Sequence, residues 1–81
     1  MINEAWSKAV PIRLGALSNV SMLVTDSSLA ALILFEHWRG DVTPLVQAAR
    51  WGCVVALEGG DAEAARSAFE AAVREAGLLI E

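Results

Sequence analysis

The sequence predicts an α+β fold in which an N-terminal β-hairpin precedes three α-helices. Two short segments near the N-terminus alternate apolar residues with other residues at period two, which is typical of half-buried strands. The remainder is rich in alanine, with 15 in 81 residues, and carries capping residues and glycine stops at helical intervals. A chain of this length fits one small domain over residues 1–81.

The hairpin is predicted over residues 9–14 and 20–24, joined by five residues that begin with glycine and end with asparagine. Pro11 cannot donate a backbone N–H, so the first strand should lie at an edge of the sheet at that point. Leu23 is left outside the alternating apolar face. The residues that should share that face are Val10, Ile12, Leu14, Val20, Met22 and Val24.

The first helix is predicted over residues 27–38, after a Thr-Asp-Ser-Ser segment whose short side chains can cap its first N–H groups. Four consecutive apolar residues, Leu32 to Phe35, cannot all lie on one side of a helix, so this helix should be buried on more than one side. Leu32 and Phe35 are three positions apart and share a face that the small remainder of the chain cannot fully cover.

The second helix is predicted over residues 44–57. Thr43 is its expected N-cap, and Pro44 occupies the first helical position, where its missing N–H costs no hydrogen bond. Cys53 falls on the inner stripe of this helix, where a cysteine packs as a small hydrophobic residue. Gly59-Gly60 ends this helix, and one of the two glycines can take the left-handed conformation past the last turn.

The third helix is predicted over residues 62–76, with Asp61 as its N-cap and Gly77 as its stop. Phe69 lies on its inner stripe and should be deeply buried. The apolar residues 78–80 that follow require a buried position somewhere in the fold.

A family resemblance adds to this prediction. It rests on Trp6, Val10, Ile12, Ala30, Ala31, Leu34, Trp38, Ala49, Cys53, Ala56, Leu57 and Gly59, and on the Ala-Phe-Glu-Ala-Ala-Val-Arg-Glu-Ala-Gly stretch that ends at Gly77. The sequence resembles the domain of unknown function 982 family, short proteins found mainly in rhizobia and related alphaproteobacteria. One departure is Arg39, which stands where such proteins often carry proline. The resemblance implies a small α+β domain, and it implies no reaction.

The residue inventory does not predict an enzyme. His37 is the single histidine and no nucleophile motif accompanies it, so a surface or capping role is expected. Cys53 is the single cysteine, which leaves too few nitrogen and sulfur ligands for a structural zinc site. We therefore expect no catalytic residue, no metal and no cofactor.

Charge and hydropathy limit the partners and the location. The formal net charge of −4 argues against nucleic acid, since such binders are usually basic. The longest apolar run, Leu29 to Phe35, is far shorter than the ~20 residues that cross a membrane, so no membrane partner is expected. A single cysteine and the lack of a signal-peptide pattern favour the cytoplasm.

Two function classes remain open. The first is a non-enzymatic interaction or regulatory module that acts as a homodimer or on an unidentified protein partner. In the dimer, either the first helix packs on its copy or the second strand pairs with its copy. The alternative is a small-molecule binding or sensing domain with a pocket between the hairpin and the helices. The candidate partner or ligand residues are Leu32, Phe35, Trp38, Arg39, Arg50 and Trp51.

Overall fold

The computed structural model describes residues 5–13, 21–38 and 40–80. Along the chain lie β1 (Ala5–Arg13), β2 (Ser21–Asp26), α1 (Ser27–Glu36), α2 (Pro44–Leu57) and α3 (Ala62–Glu75). The predicted hairpin followed by three helices is confirmed. Leu14, the predicted hairpin loop, Val20 and the candidate Arg39 lie outside the described residues.

The first strand begins at Ala5, four residues before its predicted start. The register between the strands shifts between Ala5 and Val10, and this irregularity interrupts the period-two alternation that reveals a strand in the sequence. Trp6 therefore lies within β1, whereas the sequence placed it before the strand. Its indole N–H donates to the buried Ser27 hydroxyl over 3.0 Å.

The C-terminal tail pairs with the outer edge of β1. The Arg13 N–H donates to the Leu78 carbonyl over 2.8 Å, and the Ile80 N–H donates to the Pro11 carbonyl over 3.0 Å. These contacts give the apolar tail the partly buried position that the sequence requires. They also show that the backbone of Pro11 points towards the tail, so its missing N–H costs no hydrogen bond with β2.

The first helix ends at Glu36, two residues before the predicted end. At its start, the Asp26 carboxylate accepts a hydrogen bond from the Leu29 N–H over 2.8 Å. At its end, His37 leaves helical geometry while its N–H still donates to the helix. Trp38 consequently lies in the following loop, half-buried, and its indole N–H donates to the Asp41 carbonyl.

The second helix has the predicted bounds, and the third ends one residue early. Thr43 and Asp61 are the N-caps, as predicted. Gly59 and Gly77 both have positive φ, at 99° and 76°, which allows the chain to leave each helix without steric strain. Local signals thus place both helix ends.

The core lies where the three helices meet the inner face of the hairpin. Phe69 is fully buried, as predicted, and its ring lies 5.6 Å from that of Trp6. At Gly52, α2 packs against α3 at van der Waals distance, since a Cβ there would lie 3.5 Å from the Ala65 Cα. The buried apolar residues are Trp6, Val10, Ile12, Val24, Ala30, Ile33, Leu34, Val46, Ala49, Cys53, Ala56, Ala65, Phe69, Ala72 and Val73.

A polar contact joins β1 to the start of α3. The backbone N–H and the hydroxyl of Ser7 donate to the Glu63 carboxylate over 2.8 and 2.7 Å. These hydrogen bonds, together with the Arg66 guanidinium, lower the pKa of Glu63. Glu63 therefore anchors the strand in addition to complementing the helix dipole.

Candidate functional site

Large apolar side chains are exposed on two adjacent helices. Leu32 and Phe35 on α1 are 48% and 50% exposed, and Trp51 and Val55 on α2 are 69% and 38% exposed. Each pair lies on the solvent side of its helix, because residues three or four apart share a face. We call these four residues, with Arg50, the helical surface. It contains four of the six predicted candidates.

Arg50 links α2 to the α1 part of the helical surface. Its Nε donates to the Leu34 carbonyl over 3.0 Å, and its guanidinium carbon lies 5.1 Å from the centre of the Phe35 ring. Leu34 is in the last turn of α1, whose carbonyls lack partners within the helix and favour a cation. The sequence placed Arg50 among the candidate residues without indicating either contact. The half-buried contact was missed because its partners lie 15 and 16 residues away.

Trp38 lines a different feature, a shallow cleft of about 270 Å³. The Thr43 hydroxyl donates to the Glu75 carboxylate in this cleft. The cleft lies between the α1–α2 connection and the end of α3, whereas the sequence suggested a pocket between the hairpin and the helices. The cleft is lined by Trp38, Gly40, Asp41, Thr43, Glu75 and Ala76.

A comparison with known protein families shows which family this chain belongs to. The sequence model of a family described as protein of unknown function (DUF982) matches residues 8–80. The chain belongs to the DUF982 family. The match runs from β1 through the tail that pairs with it, so it covers the whole described fold except its first three residues. No curated protein and no solved structure gives a significant match.

Reactive side chains in this DUF982 chain are placed apart from one another. His37 is exposed at the end of α1, while Cys53 is fully buried in α2. Within residues 5–13, 21–38 and 40–80, no three His, Cys, Asp or Glu side chains are grouped to hold a metal ion. In the same ranges, no helix is long and apolar enough to cross a membrane.

Cys53 should resist thiol reagents while the protein is folded. Burial raises the pKa of its thiol to about 11, and the thiolate is the reactive form. We expect Ellman's reagent to modify the native protein at pH 8 at least ~100-fold more slowly than the urea-unfolded chain. Rapid modification of the native protein would show that Cys53 is accessible, contrary to its burial.

Proposed function

We propose that this DUF982 protein is a non-enzymatic interaction module, regulatory in role, that acts as a homodimer and contacts a further protein through its helical surface. The observation that carries the proposal is the exposure of Leu32, Phe35 and Trp51 on two packed helices. Several exposed apolar side chains of this size, on two packed helices of a small protein, favour an interaction site.

The composition of the helical surface supports protein recognition. Aromatic residues and arginine are enriched at protein interfaces, and tryptophan and arginine are frequent binding hot spots. Arg50 holds Phe35 in place before binding, which reduces the entropy lost when a partner covers the ring. Trp51 has the largest exposed fraction in this group and is the expected anchor of the partner.

A cytoplasmic location is part of the proposal. Cys53 is free and buried, which suits a reducing compartment where thiols remain unpaired. The negative net charge supports a protein partner over nucleic acid.

Affinity capture with a matched control tests the proposed surface. We expect the wild-type protein to retain a specific partner from its native cell and the Trp51→Glu variant to lose it. Leu45→Glu is the control, because Leu45 is also exposed on α2 but lies about 120° around the helix from Trp51. Equal retention by all three proteins, or no partner for the wild type, would contradict the helical surface as a binding site.

The second candidate function is small-molecule binding, and the cleft beside Trp38 favours it. Its aromatic wall and the Asp41 and Glu75 carboxylates suit a small organic cation. The cleft volume lies slightly below the ~300–1,000 Å³ typical of ligand pockets. A thermal-shift screen of cationic metabolites tests this candidate: stabilisation of the wild type that is lost in Glu75→Gln would support it, and no stabilisation by any of them would reject it.

A further inference from the structure

The outer edge of β2 lacks a neighbouring strand in the described part of the chain. The sheet has the order β1–β2, and the C-terminal tail pairs with the far side of β1. One edge is therefore covered by the chain itself and the other is open. A two-stranded sheet is marginal in water and gains stability from further strands.

The strand register shows which backbone groups line the open edge. The backbone groups of Pro11 and Arg13 point to the tail, so those of Val10 and Ile12, which alternate with them, point to β2. Val10 and Ile12 pair with Val24 and Met22. The alternation along β2 then turns the N–H and C=O groups of the remaining positions away from β1. These positions are Ser21, Leu23 and Thr25.

The open edge carries none of the features that usually block strand pairing. Protected edges contain charged residues, proline or a bulge. Residues 21–25 read Ser-Met-Leu-Val-Thr, and the irregularity in the sheet falls between Ala5 and Val10 of β1. The nearest charge, Asp26, is engaged in capping α1. Leu23 is 63% exposed on this edge.

The same edge is complementary to itself in an antiparallel, twofold arrangement. With Leu23 on the twofold axis, it faces Leu23 of the second copy, and Ser21 faces Thr25 of the second copy. The twofold axis generates three pairs across the contact, namely Leu23 with Leu23 and two copies of Ser21 with Thr25. The backbone N–H and C=O groups of all these residues face outward, so each pair can exchange backbone hydrogen bonds. The Thr25 hydroxyl donates to Asp26, which leaves its oxygen to accept from Ser21. This register places no charge opposite a like charge.

We propose that β2 pairs with β2 of a second copy, forming a four-stranded antiparallel sheet in the order β1–β2–β2–β1. This proposal rests on the homodimer in the proposed function and assigns its surface. A second copy fits the edge because each residue that lines it meets a suitable partner from the same segment. The pairing leaves Leu32 and Phe35 on α1 available for a different protein.

Light scattering of the full chain at micromolar concentration tests the edge. The wild type should have twice the chain mass of 8.6 kDa. Leu23→Lys should weaken self-association at least ~100-fold, because it removes two leucines from the new contact and opposes two positive charges. Its circular dichroism should match that of the wild type, since Leu23 contributes little to the core of one chain.

Leu32→Lys is the matched control, because it makes the same substitution at an exposed leucine of α1. It should remain dimeric. A dimeric Leu23→Lys with a monomeric Leu32→Lys would overturn the strand pairing and leave the homodimer of the proposed function intact. A wild type that is monomeric throughout this range would overturn both.

Disulfide trapping provides a second measurement of the register. In a Cys53→Ala background, Leu23→Cys should give a covalent dimer on mild oxidation, because the paired Cα atoms would be ~5.5 Å apart. Leu32→Cys in the same background should not. Equal trapping at both positions, or trapping only at position 32, would overturn the assigned edge.

Discussion

Phe69→Ala should lower the free energy of unfolding by ~3–5 kcal/mol. Phe69 is fully buried on α3, and its ring contacts Trp6 of β1, so its removal leaves a cavity between the helices and the hairpin. Because small domains are stable by only ~5–15 kcal/mol, a loss of this size removes a large share of the total stability and should lower the unfolding midpoint strongly. Urea denaturation followed by far-ultraviolet circular dichroism measures the loss.

Phe35→Ala is the matched control for this prediction. It makes the same substitution on α1, but Phe35 is half exposed and contacts the Arg50 guanidinium. Its cost should be at most ~1 kcal/mol. Two variants with equal unfolding midpoints would contradict the assignment of Phe69 to the core and Phe35 to the helical surface.

Trp6→Ala should have a comparable effect, with a loss of ~3–5 kcal/mol. The indole is buried at 8% exposure, packs against Phe69 and donates to the Ser27 hydroxyl at the start of α1. The substitution therefore removes a large ring and leaves a fully buried hydroxyl without its donor. Urea denaturation again provides the measurement.

Two further tryptophan variants separate the hydrogen bond of Trp6 from the packing of its ring, and a buried tryptophan from an exposed one. Trp6→Phe keeps an aromatic ring but removes the N–H, and should cost ~1–3 kcal/mol because Ser27 becomes unsatisfied. Trp51→Ala should cost less than ~1 kcal/mol, since Trp51 is exposed on α2. If Trp51→Ala proved as damaging as Trp6→Ala, the helical surface would be part of the core and the proposed function would lose its main support.

The residues chosen to test association are not the residues that stabilise the fold. Variants at Leu23, Leu32 and Trp51 change exposed side chains, so they can report on association without loss of the fold. Arg50 is less suitable, because it holds α1 and α2 together as well as supporting Phe35. The two proposed surfaces lie on different elements, and their variants should therefore act independently.

The sequence predicted the secondary structure because its signals are local. Thr43, Pro44 and Asp61 mark helix starts through side-chain and backbone contacts within a few residues. The alternation of Val10 and Ile12 identified the inner face of the first strand, and both are buried. Phe69 and Cys53 were placed in the core by helical spacing alone.

The candidate surface was only partly predictable from the sequence. Spacing within α1 put Leu32 and Phe35 on one face, and both are exposed. Trp51 was a candidate whose exposure the sequence left open, and it is exposed on α2. The position of Arg50 over Phe35 was not predictable, because it depends on how α1 and α2 pack. Trp38 was expected at the end of a helix and lies in a loop.

The positions of the helices and strands, and the apolar side of each, follow from the sequence, since periodicity and capping depend on neighbours within one or two helical turns. The use of strand edges and irregular segments depends instead on how the chain packs in three dimensions. Trp6 is buried against Ser27 and Phe69, which are distant in the chain, and the register shift beside it obscures the strand pattern in the sequence. The tail likewise covers β1 through Leu78, so among residues 5–13, 21–38 and 40–80 the edge without a neighbouring strand is that of β2. Strand pairing of this kind depends on which backbone N–H and C=O groups remain without partners after the chain has folded, and the local sequence does not encode this information.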